Sequence, residues 1–284
     1  MLVFVVLFIA AFFAGIQNAL AGGGSFLTFP ALMFTGLDAR AANITSTIAL
    51  FPGQITTGFA GRKDVSDLPQ LSFKVMFIIS LIGGGLGALL LLATPISVFE
   101  FLVPWLVFFA TLVFLWGSFF RKTPRSPKKM GQPGTIMTQF AISIYGGYFG
   151  GGIGILMLAA LTISGLAVRK AGATKNVLAG VMNASAVVIF AFSNNVAWTQ
   201  VFVAAIASIA GGQIGAFALQ RVNEKILRTC VILLGFGLSL GLFIKSWINE
   251  APTVFIPQIV LIFIFFGLFM YYNLHENSTC KNQQ

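Results

Sequence analysis

The chain has 284 residues, 57% hydrophobic and only 8% charged, with a mean hydropathy of +0.94. A soluble domain carries roughly 25% charged residues, so this composition excludes one and describes a polytopic helical protein of the lipid bilayer. A formal charge of +10 would suggest nucleic acid in a soluble protein; here the basic residues sit in short loops, where membrane topology uses them, and no nucleic-acid partner is expected.

The first apolar run, Leu2 to Gly15, has no Lys or Arg before it. It is therefore read as a helix that stays, not as a cleaved signal peptide, although Ala19, Leu20 and Ala21 mimic a cleavage site. It leads into NALAGGGSFLTFPALMFT, Asn18 to Thr35, where Gly22, Gly23, Gly24 and Ser25 should break the helix. Consecutive glycines carry a high entropy cost in a helix. Unwound backbone at membrane depth is tolerated only where protein buries it or water reaches it. The device returns at YGGYFGGGIG, Tyr145 to Gly154. Paired glycine-interrupted segments in two halves point to a transporter's binding site.

About 20 apolar residues span a bilayer. Full-length candidates are Ala41–Ala60, Leu71–Leu92, Phe99–Phe120, Ala171–Phe192, Trp198–Leu219, Ile226–Ile244 and Phe255–Tyr272. Leu2–Thr35 and Thr135–Ser164 are too long for one crossing, and each is expected to be a helical hairpin or a re-entrant segment. Arg121, Lys122, Arg125, Lys128 and Lys129 assign the Pro-rich central linker to the cytoplasm. Arg169 with Lys170, Arg221 with Lys225 and Arg228, and Arg62 with Lys63 mark further cytoplasmic loops. Ala93–Val98 and Ser193–Val196 carry no basic residue and fall outside, as do Arg40 and, against the rule, Lys245.

The chain also repeats itself at a shift of about 128 positions, the kind of self-similarity that fixes an architecture. Gly22, Gly23 and Gly24 fall on Gly150, Gly151 and Gly152. Gly36, Arg40, Ala42 and Thr45 fall on Gly165, Arg169, Ala171 and Thr174; Gly83, Gly84 and Gly87 fall on Gly211, Gly212 and Gly215. With Arg40 outside and Arg169 inside, the halves have opposite orientation. The expected fold class is an all-α polytopic membrane protein of two inverted-topology repeats, each with a glycine-broken helical hairpin, plus one extra C-terminal helix. The expected divisions are a first repeat at 1–120, a basic linker at 121–134, a second repeat at 135–246, and the extra helix with a polar tail at 247–284.

The helix after each broken hairpin opens with polar residues: Asn43, Thr45, Ser46 and Thr47, then Thr174, Lys175 and Asn176. Thr47 and Gln54 share a helix face, as do Asn176 and Asn183 at the matching positions. Thr47 and Gln54 could equally be packing glue between helices. Two stacked amides on one buried face, Asn176 and Asn183, are costly to satisfy idly. Lys175 sits a turn inside its helix, where an ionisable residue is a functional candidate unless it snorkels to the interface. The spacing of Gly83 with Gly87 and of Gly211 with Gly215 reads as close helix packing.

Between Leu71 and Phe255 the acidic residues are Glu100, Glu224 and Glu250, all near predicted helix ends, and the one His is His275. That set offers no buried proton relay, no carboxylate-rich cation site and no metal-ligand or catalytic spacing. Cys230 and Cys280 make neither a disulfide framework nor a metal site. The chain is read as not an enzyme, with no cofactor. Hydroxyls, amides, helix N-termini and one lysine remain, which together suit an anion.

The segment AGGGSFLTFPAL at Ala21 to Leu32, the R-x-A-N-x-T-S at Arg40 to Ser46, and GGGIG at Gly150 to Gly154 followed by Arg169 to Asn176 resemble the sulfite exporter TauE/SafE family, also called the 4-toluene sulfonate uptake permease family. The resemblance implies a multi-pass carrier of sulfite, thiosulfate or organosulfonate anions in a bacterial-type plasma membrane. The sequence departs from the expected pattern at Lys175 and Asn176, which stand where the first half has Ser46 and Thr47. The expected substrate-binding set is Asn18, Gly22, Gly23, Gly24, Ser25, Thr45, Ser46, Gly150, Gly151, Gly152, Thr174, Lys175, Asn176 and Asn183. The alternative is a non-transporting membrane anchor or assembly subunit, in which mutating the glycine breaks would disturb a complex and leave anion flux alone.

Overall fold

The computed structural model describes residues 2–20, 23–120, 131–218 and 224–249. Most of the basic linker, Gly22 and the expected helix Phe255–Tyr272 lie outside the described residues. Contacts divide the chain into units of residues 1–240 and 241–284, and the first unit holds the features that follow.

Ten α-helices are present among the described residues: α1 (Leu2–Leu20), α2 (Ser25–Phe34), α3 (Ala39–Gly61), α4 (Phe73–Ala93), α5 (Ile96–Leu115), α6 (Gln132–Tyr148), α7 (Ile153–Ile163), α8 (Val168–Ala191), α9 (Trp198–Ala218) and α10 (Glu224–Asn249). Phe73–Ala93, Ile96–Leu115 and Arg169–Ala191 are long and apolar enough to cross a membrane. Helix is the expected outcome, because in a bilayer every backbone polar group must be satisfied within its own segment.

Local chemistry sets the ends. Asp38 caps α3, its Oδ1 accepting the Ala41 amide at 2.9 Å. Gly36 and Gly165 follow α2 and α7 with φ of 95° and 108°, the left-handed region that favours glycine after a helix. The α3–α4 connection is closed by reciprocal backbone hydrogen bonds between Leu68 and Leu71, both buried.

The closest packing is α1 on α9 and α4 on α6, with α3 against both α8 and α9, and α4 against α8. Glycines make this approach. A Cβ at Gly87 would collide with the Ile144 carbonyl, one at Gly147 with the Gly84 carbonyl, and one at Gly211 with the Phe12 carbonyl. The reading of Gly83, Gly87 and Gly211 as packing residues therefore holds. The outer face of α4 is the reverse: Ile78, Ile82, Leu86, Leu89 and Leu90 are exposed. Small residues inside and large apolar ones outside suit a helix with lipid on one side and backbone on the other. Buried polar pairs such as Gln139 Nε2 to Ser80 Oγ at 2.8 Å tie α6 to α4.

Arg40 lies at the start of α3 and donates to the Thr94 carbonyl at 3.0 Å and to Asn195 Oδ1 at 3.3 Å. Arg169 donates to Asp64 at 3.1 Å, just past the other end of α3. The two arginines are thus separated by about the length of α3, roughly 34 Å at 1.5 Å per residue. Two threonines repeat the pattern. Thr45 Oγ1 accepts the Ala197 amide at 3.2 Å and Thr174 Oγ1 accepts the Ser66 amide at 3.1 Å.

Candidate functional site

Each glycine stretch separates two described helices. α1 ends at Leu20 and α2 starts at Ser25; α6 ends at Tyr148 and α7 starts at Ile153. Gly23 has φ 89°, and Gly150 and Gly152 have φ 78° and 74°, conformations that cost a side-chain-bearing residue about 1 kcal/mol or more. Asn18 spans the first gap, its Oδ1 accepting the Gly24 amide at 2.7 Å, which leaves Nδ2 as its donor end. Tyr145 spans the second, its hydroxyl donating to the Gly151 carbonyl at 2.8 Å. The Tyr145 ring packs between Phe109 and Phe149.

Between these gaps lies a cavity of about 50 Å³. Its wall is Asn18, Gly23 and Ser25 from the first gap, Gly150, Ile153 and Gly154 from the second, Thr47, Leu50 and Gln54 from α3, and Lys175, Asn176, Ala179 and Asn183 from α8. The first residues of α2 and α7 stand on the wall, and helix N-termini carry partial positive charge. Lys175 is the ionisable side chain of this wall. Asn183 Nδ2 donates to Gln54 Oε1 at 2.5 Å and joins the two long wall helices.

The structure brings together Asn18, Gly23, Ser25, Gly150, Lys175, Asn176 and Asn183 of the expected set. It places others elsewhere, for identifiable reasons. Thr45 and Thr174 hold the backbone of the α8–α9 and α3–α4 connections. Ser46 Oγ pairs with Thr28 Oγ1 at 2.6 Å, fastening α2 to α3. Gly24 packs on Asn18, a Cβ on Gly151 would meet the Phe149 ring, and one on Gly152 would meet Ala110. Their space is filled by protein, so they shape the gaps and do not line the cavity. Lys175 is half-buried and lines the cavity.

Thr47 and Gln54, weighed in the sequence but left out of the expected set, do line the cavity, as do Leu50, Ile153, Gly154 and Ala179. Helical periodicity was the available signal: Thr47, Leu50 and Gln54 on α3, and Lys175, Ala179 and Asn183 on α8, each lie along one face.

The chain matches the sulfite exporter TauE/SafE family over residues 7–242, and it belongs to that family. Among its relatives, a "probable membrane transporter protein" of Haemophilus influenzae is 28% identical over 237 residues, 81% of this chain and 91% of the relative. The "probable membrane transporter protein YfcA" of Escherichia coli K12 is 29% identical over 244 residues, 85% of this chain and 90% of the relative. No solved structure matches. Family, relatives and apolar helices together make this a membrane protein of the transporter class.

Proposed function

We propose that the protein is a secondary transporter, a permease or exporter, of small sulfur-containing anions such as sulfite, thiosulfate or short organosulfonates in the plasma membrane. The observation that carries this reading is the cavity itself, where two helix starts, amides, hydroxyls and Lys175 converge between two interrupted segments. Neutral donors and one lysine replace the hydration shell an oxyanion loses on leaving water. A buried water needs about 10–15 Å³ by this kind of measure, so the cavity suits an inorganic oxyanion and is too small, in this conformation, for an aromatic sulfonate.

The site sits where two inverted repeats, 1–120 and 135–246, would meet, with the basic linker 121–134 cytoplasmic and 247–284 following the second repeat. The contacts support this: exchanging α1–α4 for α6–α9 turns α1 on α9 into α6 on α4, and α3 on α9 into α8 on α4. Single cysteines beside Arg40 and Arg169, in a background lacking Cys230 and Cys280, should label from opposite faces of the membrane; labelling from one face would contradict the inverted arrangement. The function is tested by flux into proteoliposomes across sulfite, thiosulfate, sulfate and sulfonates. Saturable flux of a sulfur anion is expected. Absence of flux for every one of them would contradict the reading.

A further inference from the structure

We infer that the anion taken by this cavity also carries a hydrogen-bond donor, and that Asn183 recognises it. The inference rests on the transport reading above and deepens it to a substrate class. Asn183 lines the cavity and is 4% exposed. Its Nδ2 is engaged by Gln54 Oε1 at 2.5 Å. Its Oδ1 is buried and accepts no hydrogen bond from a described residue. Of the described buried side-chain atoms in that condition, it is the one that belongs to a residue of the cavity wall.

A buried acceptor is normally satisfied, and each exception calls for an explanation. A bare oxyanion does not supply one, because its oxygens and an amide oxygen repel. An anion bearing an N–H or O–H does. The cavity then makes two separate demands: Lys175 and the starts of α2 and α7 take the negative oxygens, and Asn183 takes the hydrogen. The class that meets both is a hydrogen-bearing oxyanion, such as a singly protonated sulfite, or a small sulfonate with an amino or hydroxyl group. A site built to hydrogen-bond a substrate N–H or O–H rejects the analogue that lacks it far more strongly than an apolar site rejects a methyl.

Sulfamate and methanesulfonate isolate this demand. Both are small, similarly shaped monoanions at neutral pH; one carries NH₂ where the other carries CH₃. Neither changes charge near neutrality, so a fixed pH holds Lys175 in one state for both. The experiment is competition by each against radiolabelled sulfite uptake in proteoliposomes, for wild type, Asn183→Leu and Asn183→Ala. In wild type, sulfamate should compete at a concentration roughly tenfold or more below methanesulfonate, as expected for a lone buried acceptor. In either variant the ratio should fall towards one. The ratio is taken within each preparation, so a reduced amount of folded variant leaves it unchanged, and the alanine variant serves where the leucine variant does not insert. Sulfite uptake with a wild-type ratio near one would overturn the inference and leave the transport reading standing. A tenfold ratio that survives in both variants would remove Asn183 from the role. No sulfite uptake by wild type would refute the transport of sulfite, and this inference with it.

Discussion

Asn183 on α8 donates its side-chain amide to Gln54 on α3 at 2.5 Å, and the two residues are 129 positions apart. That separation is the shift at which Gly36 meets Gly165 and Arg40 meets Arg169. The bond therefore joins positions that match at this shift in the sequence, and both residues lie on the cavity wall. Asn183 is buried and Gln54 half-buried, and removing either member takes this hydrogen bond from the other. Gln54→Leu and Asn183→Leu should each destabilise the protein by about 1–2 kcal/mol. The double variant should lose less than the sum, because either single variant already removes the shared bond. Thermal unfolding of the three variants in one detergent measures this, and strict additivity would mean that the pair is not coupled.

The glycines fall into two groups that substitution should separate. Gly87 and Gly147 sit where a Cβ meets backbone of the facing helix, whereas Gly180 on α8 has nothing within 4 Å. Gly87→Ala should cost about 1–3 kcal/mol, as overpacking does, and reduce the amount of folded protein in the membrane. Gly180→Ala should be neutral or slightly stabilising, since alanine is the better helix former by about 1 kcal/mol. Gly23→Leu and Gly151→Leu should insert and yet lose transport. Gly23 has a positive φ and a Cβ there would press on Phe114 and Phe26, while a Gly151 side chain would displace the Phe149 ring. Monodisperse yield and flux, measured on the same preparations, distinguish the groups.

Arg40 and Arg169 hold opposite ends of α3 with different strength. The Arg169–Asp64 side chains are 86% and 41% exposed, and an exposed ion pair contributes about 0–1 kcal/mol and weakens with salt. Arg40 is partly buried and holds two acceptors, Thr94 O and Asn195 Oδ1, so its loss should cost about 2 kcal/mol. Arg40→Gln should lower the unfolding temperature clearly, and Arg169→Gln barely. Equal shifts would show that the exposed pair is stronger than its surroundings allow.

Much of this was legible before the structure. Composition and apolar run length give an all-helical membrane protein because a bilayer leaves the backbone few other choices. Asn176 and Asn183 were singled out because a helix face is readable from spacing alone, and Lys175 because it is an ionisable residue inside a predicted span. Thr45, Ser46 and Thr174 look the same in sequence, and only their partners in other helices, Ala197, Thr28 and Ser66, show where their hydrogen bonds go. A hydroxyl's role depends on neighbours that lie 18 to 152 positions away along the chain, which periodicity does not encode. The breaks between helices were located by their glycines, but which glycine faces the cavity depends on what packs against each one. Gly23 and Gly150 reach the wall, whereas Gly24, Gly151 and Gly152 are covered by Asn18, Phe149 and Ala110.

The central claim is that this cavity binds an anion through Lys175 and neutral donors around it. A full charge in a confined site attracts an anion more strongly than the same charge does in bulk water. Lys170, on the same helix, is exposed and off the cavity wall. The decisive measurement is the concentration dependence of sulfite flux for Lys175→Gln, Lys175→Arg and Lys170→Gln at equal membrane abundance. Lys175→Gln should weaken apparent affinity severalfold or more, Lys175→Arg should weaken it less, and Lys170→Gln should leave it nearly unaltered. Equal affinities for Lys175→Gln and Lys170→Gln would contradict the account, because a general effect of positive charge would then explain both.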